Sequence, residues 1–188
     1  AINMQLEAAR ALQTTDAAQL AASLARAQAL TKEGLQEVRR SVAALRASPL
    51  DGSSLPVQIA ALVDACRAAG LEAEFKVVMA GRPVAPPFDG APPVEPAPPT
   101  ELALYRAAQE ALTNVRKHAR ARHVDVSLTY TKTGVALRVA DDGVGAAVAE
   151  GGFGLVGLRE RVKLLGGELR ITSAPGEGFV LEVQFDEV

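Results

Sequence analysis

Three short stretches of the 188-residue chain concentrate side chains able to bind a metal, a base or a phosphate. In the first, Gln109–His118, the residues Glu110, Asn114, Lys117 and His118 follow i, i+4, i+7, i+8 spacing, which predicts one side of a helix. The Asn114 carbonyl oxygen is a hard ligand of the kind Mg2+ takes, alongside phosphates and water. Glu110 can hold or polarise a metal-bound water, and Lys117 is a point charge for phosphate. Identical spacing also describes a solvated polar face. The second stretch, Asp141-Asp142-Gly143-Val144-Gly145, follows a strand-like run. A carboxylate there can accept a hydrogen bond from an exocyclic amine such as adenine N6, while Gly143 and Gly145 let a base approach the backbone. A plain Asp-Gly turn has the same composition. In the third, Gly152-Phe153-Gly154-Leu155-Val156-Gly157, the GxGxxG spacing does not directly follow a strand, so the dinucleotide-fold reading fails its context. What survives is a glycine-rich entry to a helix whose free N–H groups bind phosphate. Together the three suggest a pocket for a nucleotide and its metal.

The elements that must position these groups follow from periodicity. Residues 1–47 read as helix, rich in Ala, Leu, Gln, Glu and Arg, with a break near Thr15 or Asp16. Leu24, Thr31, Val38 and Leu45 recur every seven residues, with Leu35 and Val42 between them, as in a helical hairpin or bundle seam. A helix of about thirty residues spans ~45 Å, which predicts a partner helix, a second chain included. Residues 48–54 read as a linker. Ser54 is expected to cap a helix with Pro56 in its first turn, running to Ala69 and stopped by Gly70. Leu71–Met79 alternates as a strand. Residues 83–99 hold eight of the eleven prolines, excluding helix and central strand and predicting a long extended loop. The next helix starts at Thr100 or Glu101 and runs to about His118, with Leu102, Tyr105, Ala108/Gln109, Leu112 and Val115 as its buried stripe. Strands at His123–Tyr130 and Gly134–Ala140 join through Thr131–Gly134. A short Ala/Gly-rich segment, 146–152, precedes a helix with Leu155, Leu158, Val162 and Leu165 on one face, ended by Gly166-Gly167. Glu168–Ser173 and Phe179–Phe185 form a last hairpin. Strands and helices without βαβ regularity predict an α+β fold, a two-layer sandwich with helices on one face of a mixed sheet.

Composition narrows the function. A hydrophobic fraction of 48% supports a core, and no apolar run approaches the length that spans a bilayer. Twenty Lys+Arg against 22 Asp+Glu leave no electrostatic footprint for nucleic acid. The single Cys66 excludes an internal disulfide and a cysteine zinc site. No leader is visible, which predicts a cytosolic setting, and the start inside helix-like sequence predicts a piece of a longer protein.

Taken together and in this order, the three stretches resemble the ATP-binding domain of sensor histidine kinases of two-component systems, in the GHKL superfamily. Gln109–His118 looks like the N box, Asp141–Gly145 the DxGxG box, Gly152–Gly157 the second glycine box, and Gly176-x-Gly178 the closing one. Leu104-Tyr105-Arg106 with Gln109–Asn114 is similar to the nitrate-sensor and thermosensor subfamily. Met4–Ala9 and Leu35-x-Glu37-Val38-Arg39-Arg40 look like the later half of its dimerisation and phosphoacceptor hairpin. The resemblance implies a partial hairpin over 1–47, a linker over 48–54 and a catalytic domain over 55–188. It assigns Mg2+ to Asn114, assisted by Glu110, as the catalytic pair. ATP or ADP is held by Asn114, Lys117, His118, Asp141, Gly143, Gly145, Gly152, Gly154, Leu155, Gly157, Gly176 and Gly178, and residues 146–153 form a lid. The implied partners are a response regulator and a second copy, the dimer weakened by truncation of the hairpin. The implied location is the cytoplasm, including the cytoplasmic part of a membrane-anchored sensor, with no membrane contact by these residues.

Two departures stand out. Neither His118 nor His123 matches the family's phosphoacceptor position, so no acceptor is expected in this chain. Phe179 stands where the closing glycine box usually continues with Thr, removing a hydroxyl beside the base-binding carboxylate. The alternatives are an anti-sigma-type serine kinase of the same superfamily and a degenerate nucleotide-binding or dimerisation scaffold.

Overall fold

The computed structural model describes residues 53–88, 91–145 and 153–188, together with Leu24 and Gln28. The chain divides into two compact units, 1–48 and 49–188. In the first, Leu24 and Gln28 are both helical, and the rest of the expected heptad seam lies outside the described residues.

Among the described residues the second unit contains three α-helices, α1 (Leu55–Ala68), α2 (Pro98–Asn114) and α3 (Phe153–Leu164). Its six strands are β1 (Glu72–Met79), β2 (Arg82–Val84), β3 (His123–Tyr130), β4 (Val135–Asp141), β5 (Glu168–Ser173) and β6 (Phe179–Phe185). They form one sheet in the order β2-β1-β3-β4-β6-β5. Only the β1–β3 pair is parallel, so the sheet is mixed as expected. Alternation along the strands makes one face apolar: Val124, Val126, Leu128 and Tyr130 of β3 lie beside Val135, Leu137 and Val139 of β4 and Leu181, Val183 and Phe185 of β6, all buried. The helices cover this face, with α1 on β1 and α2, α2 on β4 and β6, and α3 on β5. The other face carries Arg138 paired with Glu182 and Arg170 paired with Glu168.

α2 differs from its expected form at both ends and along its face. It starts at Pro98, where the missing N–H and fixed φ of proline suit a first helical turn. Its regular α-helical path ends at Asn114, followed by a π turn over Val115–Ala119 that closes with Arg120 in the left-handed region at φ 51°. Its buried face is Ala103, Leu104, Ala107, Ala108, Ala111 and Leu112, continued by Val115, whereas Leu102, Tyr105 and Gln109 are only half-buried. The alanines let the helix lie close to the sheet, with Leu104, Leu112 and Val115 packed beside them. The proline-rich stretch contains a three-residue edge strand, β2, in which Pro83 needs no second partner because β2 pairs with β1 alone. Elsewhere the expected elements appear within one or two residues. Ser54 precedes α1 without a side-chain cap bond. On α3, Leu158 and Val162 are buried and Leu155 and Leu165 half-buried. The segment 146–152, including Gly152 and most of the expected lid, lies outside the described residues.

Candidate functional site

The candidate site forms where the C-terminal end of α2, the end of β4, the start of α3 and the β5–β6 turn meet. On α2, Asn114 Nδ2 donates to Glu110 Oε1 at 3.4 Å. Gly154, in the first turn of α3, lies against this pair so closely that a Cβ there would overlap the Glu110 carboxylate. The helix N-terminus, with its unpaired N–H groups and positive dipole end, therefore adjoins Glu110. Lys117 and His118 do not continue the face of Glu110 and Asn114 as the regular spacing predicts, because the π turn begins at Val115 and changes the register. Both are exposed, as are Arg116, Arg120 and Arg122, which gives this end of the domain a cationic rim.

The two aspartates at the end of β4 are in different situations. Asp141 is 9% exposed on the helix-covered face, and its Oδ1 accepts the Gly143 N–H at 2.8 Å. Among the described residues its Oδ2 receives no hydrogen bond. Burial raises its pKa against the lowering effect of the Gly143 bond, and the neighbouring Asp142 charge adds to the rise. Asp142 is exposed and accepts the backbone N–H groups of Arg122 at 2.8 Å and His123 at 2.9 Å, bonds that lower its pKa. Asp142 thus ties down the start of β3, and Asp141 keeps one carboxylate oxygen without a hydrogen bond among the described residues.

The loop between them and Gly145 is clamped on both sides. Val144 N donates to Ala119 O at 2.8 Å, and Gly176 N donates to Val144 O at 2.7 Å. The glycines serve this clamp: a Cβ on Gly143 would overlap Ala119 O, one on Gly145 Ala174 O, and one on Gly178 Asp141 O. Gly143 and Gly145 are therefore required by the protein's own backbone, whatever approaches from outside. Around Gly157 and Gly176, by contrast, an added Cβ would meet open space.

Strand register adds two residues to the site. Asp141 pairs with Phe179, and Phe179 with Ser173. Paired residues share a face, so these three make one row across the end of the helix-covered side. Ser173 was not visible as a site residue in the sequence, since only pairing places it in that row, and its Oγ donates to Gly178 O at 2.7 Å. Ala119 was likewise invisible, because it acts through its carbonyl.

A fold with one helix-covered mixed sheet, a buried carboxylate at a strand end and an Asn/Glu pair on the adjacent helix defines a nucleotide-binding domain. Residues 100–188 match the family model described as histidine kinase-, DNA gyrase B- and HSP90-like ATPase, and residues 1–50 match a histidine kinase model. The chain belongs to the sensor histidine kinases, with a GHKL-type domain. It is 36% identical over 153 residues to the signal transduction histidine-protein kinase/phosphatase DegS of Brevibacillus brevis, covering 79% of this chain and 36% of that protein. It is 31% identical over 186 residues to the sensor histidine kinase LnrJ of Bacillus subtilis, covering 98% of this chain and 43% of that one. The chain thus spans less than half the length of these relatives. In fold it is similar to the histidine kinase domain of the blue-light activated histidine kinase EL346 of Erythrobacter litoralis, with TM-score 0.54, 19% identity, and coverage of 98% of this chain and 94% of that one. It is also similar to histidine kinase AdeS of Acinetobacter baumannii, with TM-score 0.54, 14% identity, and coverage of 98% and 92%. Membership of an ATPase family implies ATP as the ligand. Among the described residues no helix is long and apolar enough to cross a membrane.

Proposed function

We propose that residues 55–188 hold ATP with Mg2+ and present its γ-phosphoryl group to a histidine, from which it passes to an aspartate of a response regulator. The observation that supports this reading is the Val144–Ala119 hydrogen bond, which ties the Asp141–Gly145 loop to the end of the α2 region that follows Glu110 and Asn114. Asp141 accepts the adenine amine, and Asn114 Oδ1, with Glu110 beside it, faces the phosphates. Among the described residues no three His, Cys, Asp or Glu side chains cluster as a metal cage. One or two protein oxygens with phosphates and water are instead the donor set that suits Mg2+. When bound, Mg2+ supplies charge neutralisation at the phosphates. The chain's own contribution is positioning: Asp141 and the glycine clamp fix the base, Lys117 and His118 contact phosphate or ribose, and Gly152, Gly154, Leu155 and Gly157 bring the α3 N-terminus to the phosphates.

The acceptor histidine comes from outside these residues. Of the two histidines, His118 is on the π turn and His123 pairs with Asp125 at 3.4 Å at the start of β3. Residues 1–47 supply a helical dimer contact, and the setting is cytoplasmic.

Calorimetric titration with ATP tests the reading. Saturable, Mg2+-dependent heat is expected, and no binding at millimolar nucleotide would sink it. Asn114→Ala should abolish the Mg2+ dependence; an unchanged requirement contradicts the role given to Asn114. With ATP alone the chain should form no phosphohistidine.

A further inference from the structure

At the opposite end of the sheet from Asp141 lies a cavity of about 280 Å3 that the nucleotide reading does not use. β3 separates the two: Val124 pairs with Asp141, and Tyr130, six residues or about 20 Å further on, lines the cavity. The start of α1, the end of β1 and the start of α2 close the other sides. Its apolar walls include Leu55, Met79 and Phe88, the last 8% exposed and held edge-to-face on Phe75 with ring centres 5.4 Å apart.

The polar groups are unbalanced. Glu95 and Glu101 both line the cavity, and among the described residues no Lys, Arg or His does. Neither carboxylate has an ion-pair or hydrogen-bond partner among the described residues. Tyr130 is 2% exposed and lines the cavity, and its hydroxyl finds no hydrogen-bond partner among the described residues. The first turns of α1 and α2 each contribute about half a positive charge, less together than the two carboxylates. Burial, then the charge of Glu95, holds the Glu101 pKa above its ordinary value. The site is thus short of a cation and rich in acceptors, with aromatic rings in its wall.

We propose that this cavity binds a small organic cation, an ammonium group on an apolar body, with its charge at Glu95 and Glu101 and its body against Phe88, Tyr130 and Met79. The two carboxylates accept the ammonium protons, and an aromatic wall favours a cation over a neutral group. The volume is at the small end of the ligand-pocket range.

The two methionines, Met4 and Met79, make the test direct. The full chain carrying 13C-methyl methionine is titrated with benzylammonium and, separately, with neutral benzyl alcohol. The expected result is a saturable shift of the Met79 methyl with benzylammonium and at least about tenfold weaker binding of the alcohol. Glu101→Gln and the exposed Glu95→Gln should each weaken benzylammonium severalfold or more while ATP titration and melting temperature stay unchanged. Equal affinity for the alcohol, no saturation, or undiminished binding in both variants would overturn the proposal. ATP binding in the same samples keeps this outcome separate from that of the nucleotide reading.

Discussion

Replacing Asp141 by Asn isolates the base-reading carboxylate. The asparagine Oδ1 can keep the 2.8 Å bond from Gly143 N–H, so the loop retains its internal hydrogen bond. Its Nδ2 then takes the place of the acceptor oxygen and sets a donor against the donor amine of adenine. A hydrogen bond to a charged acceptor contributes roughly 1.5–3 kcal/mol, so ATP affinity should fall about ten- to a hundredfold. Stability should move the other way. The folded-state pKa of Asp141 is raised, so its contribution is present below the ordinary value of 3.8 and lost as pH rises through the folded value. At neutral pH the charged carboxylate works against the fold, and the variant should melt at the same temperature as the parent or higher. Calorimetry with ATP and with ITP, whose six-position is a carbonyl, reads the effect: the variant should lose ATP and gain relative affinity for ITP. A variant that melts normally, binds ATP within about threefold of the parent and keeps its preference for ATP would refute the assignment of Asp141.

The two closing glycines separate strain from overlap. Gly176 and Gly178 both have positive φ, 84° and 73°, but only at Gly178 would a Cβ run into backbone. Gly176→Ala should cost about 1 kcal/mol from conformation alone, and Gly178→Ala clearly more, with loss of nucleotide binding; equal melting temperatures would contradict the clamp. Asp142 should show the opposite pH sign to its neighbour. Its pKa is lowered by the His123 and Arg122 N–H groups, so its contribution is present above 3.8 and disappears as pH falls through the folded value. Asp142→Asn should flatten that part of the acid-stability curve, and an unchanged curve would argue against the tie to β3. Gly154→Ala should leave the melting temperature nearly unchanged, since alanine suits a helix and the Glu110 side chain can swing away, yet weaken Mg2+-dependent binding by displacing that carboxylate.

Much of the fold was legible because its strands alternate cleanly and its turns carry glycine. Glu168–Ser173 and Phe179–Phe185 were readable to the residue, since a period of two with one buried face leaves little freedom of register. α2 was less legible. Its buried face is built from alanines, which carry a weak hydropathy signal, and its π turn comes from the local path of the chain and leaves no periodic trace. The site divides in the same way. Residue type and spacing marked Glu110, Asn114, Asp141 and the glycines, because a metal, a base and a phosphate each demand particular atoms.

The sequence by itself determined the α+β class, the family, and the residue types able to meet a nucleotide. Tertiary structure decided which aspartate is buried on the helix-covered face and which ties down β3, because neighbouring residues at a strand end point to opposite sides of the sheet. It also decided that Gly143, Gly145 and Gly178 answer first to the protein's own carbonyls, that Phe179 and Ser173 share a row with Asp141, and that Tyr130 ends in a second, acidic cavity. Each of these depends on contacts between segments far apart in the chain, which no local pattern of residues encodes.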